Sequence, residues 1–510
     1  MTLLPDSIRP AATQSVLLSQ LLAGAVEVSS GAGQLSVSDL AFDSRRAKSG
    51  CLYFGLPGLN AHGAAFAAQA RAGGAVAMVT DAAGAALTDL ADWPVLVVDE
   101  PRAVMAAAAV RLFGDPTAQR TTFGVTGTAG KTTTSLMLDT ALRAHGRHSG
   151  YIGSIGFTVD GRRIPMQRST PTTPESVDLQ AMLAAMAQQG VDSFVMEATS
   201  VGLELDRLAG VSFDVVGFTN LGRDHMDYHH TVENYFAAKT RLFRPGWAGH
   251  AVVNLDDPYG QRLLAMMRQA GDPPCTTVGY DAAADFRIVG RTVMASYQQV
   301  VFEHDGQTVQ FDLDMPGEFN VRNAMLALAM MDAAGFAQQT TLQGLAHATA
   351  PGRMQRVDLG EGAPLVFVDD AHTPEATEAA LKAATRPIIA VVGCGGDRDH
   401  GKRALTGAAC ARQADVVIVT DDNPRTEDPA AIRASIRQGA VETGQCNQVL
   451  DGGGRLDAIK AALAMAEPGW TVVVLGRGDE DFQEVNGQLI PLHDVDVVQA
   501  AWRELTEAGA

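Results

Sequence analysis

Between about residues 36 and 98, short apolar runs ("CLYFGL", "AVAMVT", "WPVLVVDE") alternate with the alanine-rich stretch "GAAFAAQARAGG". Runs of this length bounded by turn residues predict buried strands, and the stretch between them predicts a helix, so the segment reads as a small α/β unit. The break "FGDPTAQR" precedes a strand at "TTFGVTG", which leads through glycines into "KTTTSLMLDTALRAHG", helical by its i, i+3, i+4, i+7 apolar spacing. Buried strands are predicted at "DSFVMEAT", "FDVVGFTN" and "HAVVNLDD", followed by an antiparallel excursion around residues 275–316. After "PGRMQRV" come four more strands, "PLVFVDDA", "RPIIAVVGCGGD", "ADVVIVTDD" and "WTVVVLGRGDED", separated by helical runs such as "DPAAIRASIRQGA". That rhythm predicts parallel, doubly wound sheets, and an α/β chain of three domains over residues 1–118, 119–350 and 351–510.

Length agrees, because 510 residues exceed what one core serves. A formal charge of −19 argues against a nucleic-acid or anionic-membrane surface while allowing a local basic pocket for a phosphorylated small molecule. Five cysteines without a CxxC pair predict neither a disulfide framework nor a zinc ribbon. No basic leader with a long apolar core opens the chain, and no run reaches the length of a membrane span. The expectation is a cytoplasmic monomer with neither nucleic acid nor membrane insertion.

The strongest chemical signal is "GVTGTAGKTTT". Strand, glycine loop and helix in this order let backbone N–H groups cradle phosphates: Gly127, Thr128 and Gly130 shape the loop, Lys131 neutralises phosphate charge, and Thr132, beside Thr133, reaches a magnesium ion. Val125 stands where the longer P-loop pattern has its first glycine, so this is the short form. Magnesium also needs carboxylates at neighbouring strand ends, and Glu197 ends one such strand. Asp224 and His225 follow another in "NLGRDHMDYHH", where His225, His229 and His230 are alternatively a zinc cluster. In "TVENYFAAKTRLF", helical stepping puts Lys239 in one stripe with Tyr235, Phe236, Leu242 and Phe243. Such a lysine either snorkels or, desolvated, becomes neutral and able to form a carbamate with carbon dioxide, an anion suited to a second magnesium.

Together "GTAGKTT", "MEATS", "NLGRDHMDYH", "FAAK", "PGEFNVRNAMLA", "GRMQRV" and "VDDAHTPEA" resemble the ordered motifs of the Mur ligases, ATP-dependent enzymes that build the cell-wall peptide. "GCGGDRDHGKRALTG" and "DNPRTEDP" are similar to the members that add meso-diaminopimelate to UDP-MurNAc-L-Ala-D-Glu. The resemblance implies a UDP-binding first domain, a P-loop ATPase-type second and a Rossmann-like third that takes the amino acid. It implies acyl-phosphate chemistry with ATP, Mg²⁺ and carbamylated Lys239, with Glu197 and His225 as metal ligands. It further implies nucleotide contacts from Asn320, Asn323, Arg353, Asp369 and His372, and a nucleotide-sugar pocket at Phe42 and Ser44. Thr172 and Thr173 of "TTPES", with Thr199 and Arg207, would hold the dipeptide end, although the two threonines on that turn are alternatively simple cap residues.

Arg425 follows a strand end in "TDDNPRTEDP", where it is either a solvated partner of its acidic neighbours or a fork for the far carboxylate of diaminopimelate. The resemblance favours the fork, beside Asp422 and Asn423, with Arg398, Gly476 and Glu480 at the amino-acid end. Bound lysine would then leave the arginine unpaired. Several positions depart from the pattern: Thr199 and Val201 in "MEATSV", Asp370 for a tyrosine in "VDDAHT", and Arg477 and Asp479 in "GRGDED". Competing expectations are a lysine-selecting ligase, a folylpolyglutamate synthetase, which lacks the "DSR" pocket, and a catalytically silent nucleotide-binding regulator.

Overall fold

The computed structural model describes residues 9–11, 13–58, 61–89, 92–165, 172–271, 273–294, 297–360 and 362–508. Its residues fall into two compact units, one holding 1–288, 303–307 and 325–345, the other 289–302, 308–324 and 346–510.

Among the described residues the first unit contains two larger sheets and a two-stranded pair, Val16–Leu17 with Ser36–Val37. A four-stranded parallel sheet runs in the order Asp39–Ala41, Cys51–Gly55, Ala77–Thr80, Val95–Val97, as the alternation of apolar runs requires. Helix Pro101–Phe113 follows, with proline in its first turn and Gly114 left-handed at its end (φ 76°), both favoured at those positions. In the second sheet, Thr121–Thr126 lies between Ser193–Glu197 and Phe213–Phe218, parallel to both. Ser149–Gly153 extends the sheet on the Ser193–Glu197 side, and Ala248–Asn254 and Cys275–Gly279 extend it on the other. The chain thus moves to one side of Thr121–Thr126 and later returns to the other, making the carboxyl end of that strand the switch point where α/β sheets bind ligands.

The antiparallel excursion expected around residues 275–316 fails at its first strand. Cys275–Gly279 is no antiparallel strand: it pairs parallel with Ala248–Asn254 and, at Val278 and Gly279, parallel with the start of the next strand at Phe286 and Arg287. The intervening helix Pro258–Ala270 makes the crossover that parallel pairing requires.

The second unit is built on a six-stranded sheet ordered Gln355–Val357, Leu365–Asp369, Thr471–Leu475, Ile388–Val392, Val416–Thr420, Gln448–Gly453, parallel except for the first strand. Alternate residues feed two cores: Ala390, Val392, Val417 and Val419 point to one face, Ile389, Val391, Val416 and Ile418 to the other. Burial on both faces is why these strands read as unbroken apolar runs. Asp428 caps helix Pro429–Thr443 by accepting from the Ala430 N–H, and Pro429 occupies its first turn. Among the described residues no helix is long and apolar enough to cross a membrane.

Candidate active site

At the switch point Gly127 (φ 147°) and Gly130 (φ 87°) turn the chain into helix Lys131–Ala144, whose first turn has N–H groups without intrahelical partners. A neighbouring strand end straps this loop. Thr219 Oγ1 donates to the Ala129 carbonyl (2.6 Å), and the Asn220 side chain accepts from the Ala129 N–H (2.9 Å). The Thr128 N–H donates to the Asn220 carbonyl (2.9 Å), and Thr128 Oγ1 pairs with the Tyr235 hydroxyl (3.1 Å).

Two lysines converge on one carbonyl. Lys131 Nζ donates to the oxygens of Gly127 (3.0 Å) and Thr128 (2.9 Å), and Lys239 Nζ donates to Gly127 as well (2.7 Å). Lys239 is 1% exposed, with Nζ 4.4 Å from the centre of the Tyr235 ring. Burial, reinforced by the charge of Lys131 and opposed by Asp224, holds its pKa well below the usual lysine value. Lys239 therefore faces inward as its spacing predicts, in the environment that favours a neutral amine.

Glu197, buried at its strand end, accepts at Oε1 from the Tyr151 hydroxyl, the Ser154 N–H (3.0 Å) and the Ser154 hydroxyl (3.0 Å). The Ser154 hydroxyl also meets Thr132 Oγ1 (2.7 Å), linking the loop threonine to the carboxylate. Thr133 is buried behind them. Glu197 Oε2 has no hydrogen bond among the described residues, so the donor set is a carboxylate oxygen and hydroxyls, which suits a hard divalent cation. His225 is left-handed (φ 53°), half exposed, and 3.4 Å from Asp224. The three-histidine zinc alternative fails: His229 is buried on Ser200 (2.9 Å) and Glu204 (3.1 Å), and among the described residues no group of three or more His, Cys, Asp or Glu is placed to hold a metal.

Beside this network the Thr173 hydroxyl donates to the Glu197 carbonyl (2.9 Å) and accepts from the Thr199 N–H (3.2 Å). Thr199 caps helix Ser200–Glu204 by accepting from the Gly202 N–H, Thr172 is left-handed (φ 59°), and helix Ser176–Gln188 after the two turn threonines starts at Glu175 without a side-chain cap. Arg207 and Arg102 both donate to Glu175 (3.1 and 2.8 Å), putting two cations on one carboxylate. Buried Ser44 donates to Gln69 (2.7 Å), and Phe42 lies under the Arg46 guanidinium (5.9 Å).

In the second unit, Asn320 and Asn323 sit one turn apart on helix Glu318–Ala333, joined by a 3.2 Å hydrogen bond. Asp369 spends both oxygens on the N–H groups of Met354 (2.6 Å) and Ala371 (2.8 Å). The two acidic departures from the motif pattern meet at one residue: Arg353 lies 2.8 Å from Asp370 and 3.8 Å from Asp479. Burial raises the Asp370 carboxyl to about 6 against the pull of Arg353. Exposed His372 hydrogen-bonds the Asp370 carbonyl (2.7 Å).

The loop after Val416–Thr420 holds Asp422, Asn423 and Arg425. Asp422 accepts the Asn423 N–H (2.6 Å) and thereby braces the loop. Asn423 donates to Glu480 (2.7 Å) and accepts from the buried Arg477 (3.0 Å) and the Glu484 N–H (2.8 Å), and Gly476 approaches Asp422 closely at φ 111°. Arg425 donates to Glu484 Oε2 (3.1 Å) and the Gly396 carbonyl (2.8 Å). The expectation that lysine would leave this arginine unpaired is therefore corrected, because Glu484 partners it within the chain. Arg398 is exposed on the neighbouring loop.

Ser154, the Thr219–Asn220 strap, Arg477 as a bracing group and Glu484 escaped the sequence reading. Glu484 belongs to hairpin Phe482–Val485/Gln488–Pro491, whose Asn486-Gly487 turn is a standard hairpin signal that could have located it.

Comparison with known proteins finds matches along most of the chain. Family models described as "Mur ligase family, catalytic domain", "Mur ligase middle domain" and "Mur ligase, glutamate ligase domain" match residues 36–112, 125–331 and 352–478. The UDP-N-acetylmuramoyl-L-alanyl-D-glutamate–2,6-diaminopimelate ligase of Corynebacterium glutamicum is 41% identical over 488 residues, covering 92% of this chain and 93% of the relative. The ligase of the same name from Streptomyces coelicolor is 39% identical, covering 98% of each. A solved structure of a UDP-N-acetylmuramoyl-L-alanyl-D-glutamate–2,6-diaminopimelate ligase superposes with a TM-score of 0.72 at 30% identity, covering 97% of this chain and 100% of that one. Mycobacterium tuberculosis folylpolyglutamate synthase, solved with ADP and AMPPCP, shares the fold alone (TM-score 0.60, 22% identity, 79% of this chain and 95% of that one). The chain belongs to the Mur ligase family.

Proposed function

We propose that this chain is the ADP-forming ligase that joins meso-diaminopimelate to UDP-MurNAc-L-Ala-D-Glu during cell-wall precursor synthesis. The observation that carries the reading is a strapped phosphate loop with two lysines on the Gly127 carbonyl, in a chain that also holds Asn423 and Arg425 on a braced loop at a strand end. ATP phosphorylates the D-Glu carboxylate, and the incoming amine displaces phosphate from the acyl phosphate. In this reading the loop N–H groups and Lys131 hold the transferring phosphoryl group, with Lys131 leaving its two loop carbonyls to do so. Thr132 and Glu197 would hold Mg²⁺, joined by His225, and a carbamate on Lys239 would hold a second ion; the metal supplies charge neutralisation at the phosphates.

Phe42 and Ser44 belong to the UDP pocket, Thr172, Thr173, Thr199 and Arg207 to the dipeptide end, and Asn320, Asn323, Arg353, Asp369 and His372 to nucleotide binding. Asp422, Asn423, Arg425, Arg398, Gly476 and Glu480 take the amino acid. We place domain boundaries after residues 118 and 350, in keeping with the spans of the three family models, and a monomer in the cytoplasm.

The test is an amino-acid panel of meso-diaminopimelate, L-lysine and L-ornithine with product mass as readout. L-lysine is included because Glu484 already balances Arg425. ADP release is expected to require both UDP-dipeptide and amino acid; hydrolysis indifferent to both would sink the ligase reading and favour a silent nucleotide-binding regulator. Arg425→Ala is expected to raise KM for diaminopimelate about 10- to 100-fold, as for a lost charge-assisted pair of ~1.5–3 kcal/mol, with KM for ATP unmoved. An unchanged KM for diaminopimelate removes the Arg425 assignment.

A further inference from the structure

Arg425 is held in an unusual way. Its backbone is left-handed (φ 52°), a conformation that a non-glycine residue keeps only when its surroundings impose it. Hairpin Phe482–Val485/Gln488–Pro491 imposes it from one side: the Arg425 N–H donates to the Glu484 carbonyl (3.1 Å), and the Asn486 N–H donates to the Arg425 carbonyl (2.7 Å). The side chain is anchored separately, Nε to Glu484 Oε2 and Nη1 to the Gly396 carbonyl. These two anchors fix the guanidinium plane, and Nη2 makes no hydrogen bond among the described residues.

We infer that Glu484 is a positioning residue for the amino-acid site: it fixes the plane of Arg425 so that the Nη1–Nη2 edge is presented to an incoming carboxylate. The inference rests on the ligase reading above. Bidentate recognition needs two parallel N–H groups at the right angle, and a planar fork pinned at Nε and at one Nη1 hydrogen has its remaining edge already aimed. Glu484 also balances the charge of Arg425, whose side chain is only 22% exposed, when no ligand is bound. The main-chain bonds between residues 425 and 484–486 do not depend on the Glu484 side chain. Removing it therefore loosens the guanidinium and leaves the loop in place.

The experiment compares wild type, Glu484→Ala and Glu484→Gln in steady-state kinetics, each substrate varied in turn, with thermal unfolding in parallel. Glu484→Ala is expected to raise KM for diaminopimelate about tenfold, the equivalent of ~1.4 kcal/mol, with kcat, KM for ATP and the unfolding midpoint unchanged. Glu484→Gln keeps an oxygen to accept from Nε and is expected to recover most of the loss. Equal losses in the two variants, a KM for diaminopimelate unmoved by Glu484→Ala, or a matching rise in KM for ATP with a lowered midpoint would each overturn the positioning role. Wild type that fails to turn over diaminopimelate would overturn the ligase reading and this inference with it; active wild type beside an unaffected Glu484→Ala variant overturns the inference alone.

Discussion

Substituting Gly127 by alanine attacks the phosphate loop at its tightest point. A Cβ there would lie 1.8 Å from Thr219 Oγ1 and 3.0 Å from the Asn220 carbonyl oxygen, at a backbone φ of 147° that side-chain-bearing residues rarely adopt. The backbone strain is worth ~1–3 kcal/mol, and overpacking against the strap adds ~1–3 kcal/mol. The loop escapes both by leaving its present shape, which displaces the carbonyl that accepts from Lys131 and Lys239. Even the lower sum, about 2 kcal/mol, corresponds to roughly a 30-fold loss of nucleotide affinity. Calorimetric titration with ADP measures it directly. A double-mutant cycle with Thr219→Ala identifies the cause, because deleting the nearest contact makes the double variant less impaired than the two single effects summed. An ADP affinity within about threefold of wild type in Gly127→Ala would refute the reasoning, as would strict additivity in the cycle.

Two further predictions concern Lys239 and the partly buried Asp370. Lys239→Ala is expected to lose activity by about a hundredfold and to regain part of it with formate or acetate, which replace the carbamate oxygens; full activity without added carboxylate removes the carbamate from the mechanism. Asp370, raised to about 6 in the folded chain from 3.8, keeps its proton longer when folded, so its contribution to stability falls as pH rises from about 4 to about 6. The unfolding midpoint of Asp370→Asn relative to wild type should climb across that window and then level off; a difference constant from pH 4 to 7 would contradict the raised pKa.

The sheets were legible in the sequence because strands buried on both faces write themselves as apolar runs, as in Ile388–Val392 and Val416–Thr420. The parallel pairing of Cys275–Gly279 was not, since strand direction is set by the crossover helix and leaves no trace in a five-residue pattern. Lys239 was legible as an inward lysine through helical spacing alone. Ser154 was hidden because its link between Thr132 and Glu197 joins separate strand ends, and a lone serine after a strand has no periodic signature. The charge cluster at Arg353 was half visible: Asp370 and Asp479 stood out singly, but only folding brings both to one guanidinium.

Asn423 is buried, with its amide oxygen on Arg477 and Glu484 and its nitrogen on Glu480, so the two ends of the amide are not interchangeable. Conversion to aspartate would set a second carboxylate against Glu480. Asparagine ordinarily ages into aspartate when the main-chain nitrogen of the following residue attacks the side-chain amide. Here that residue is Pro424, which has no N–H to lose and cannot close the cyclic imide. The proline beside Asn423 thus does more than turn the chain: it gives the amide a long chemical lifetime at the one position of the loop where a change of a single atom would reverse a hydrogen bond.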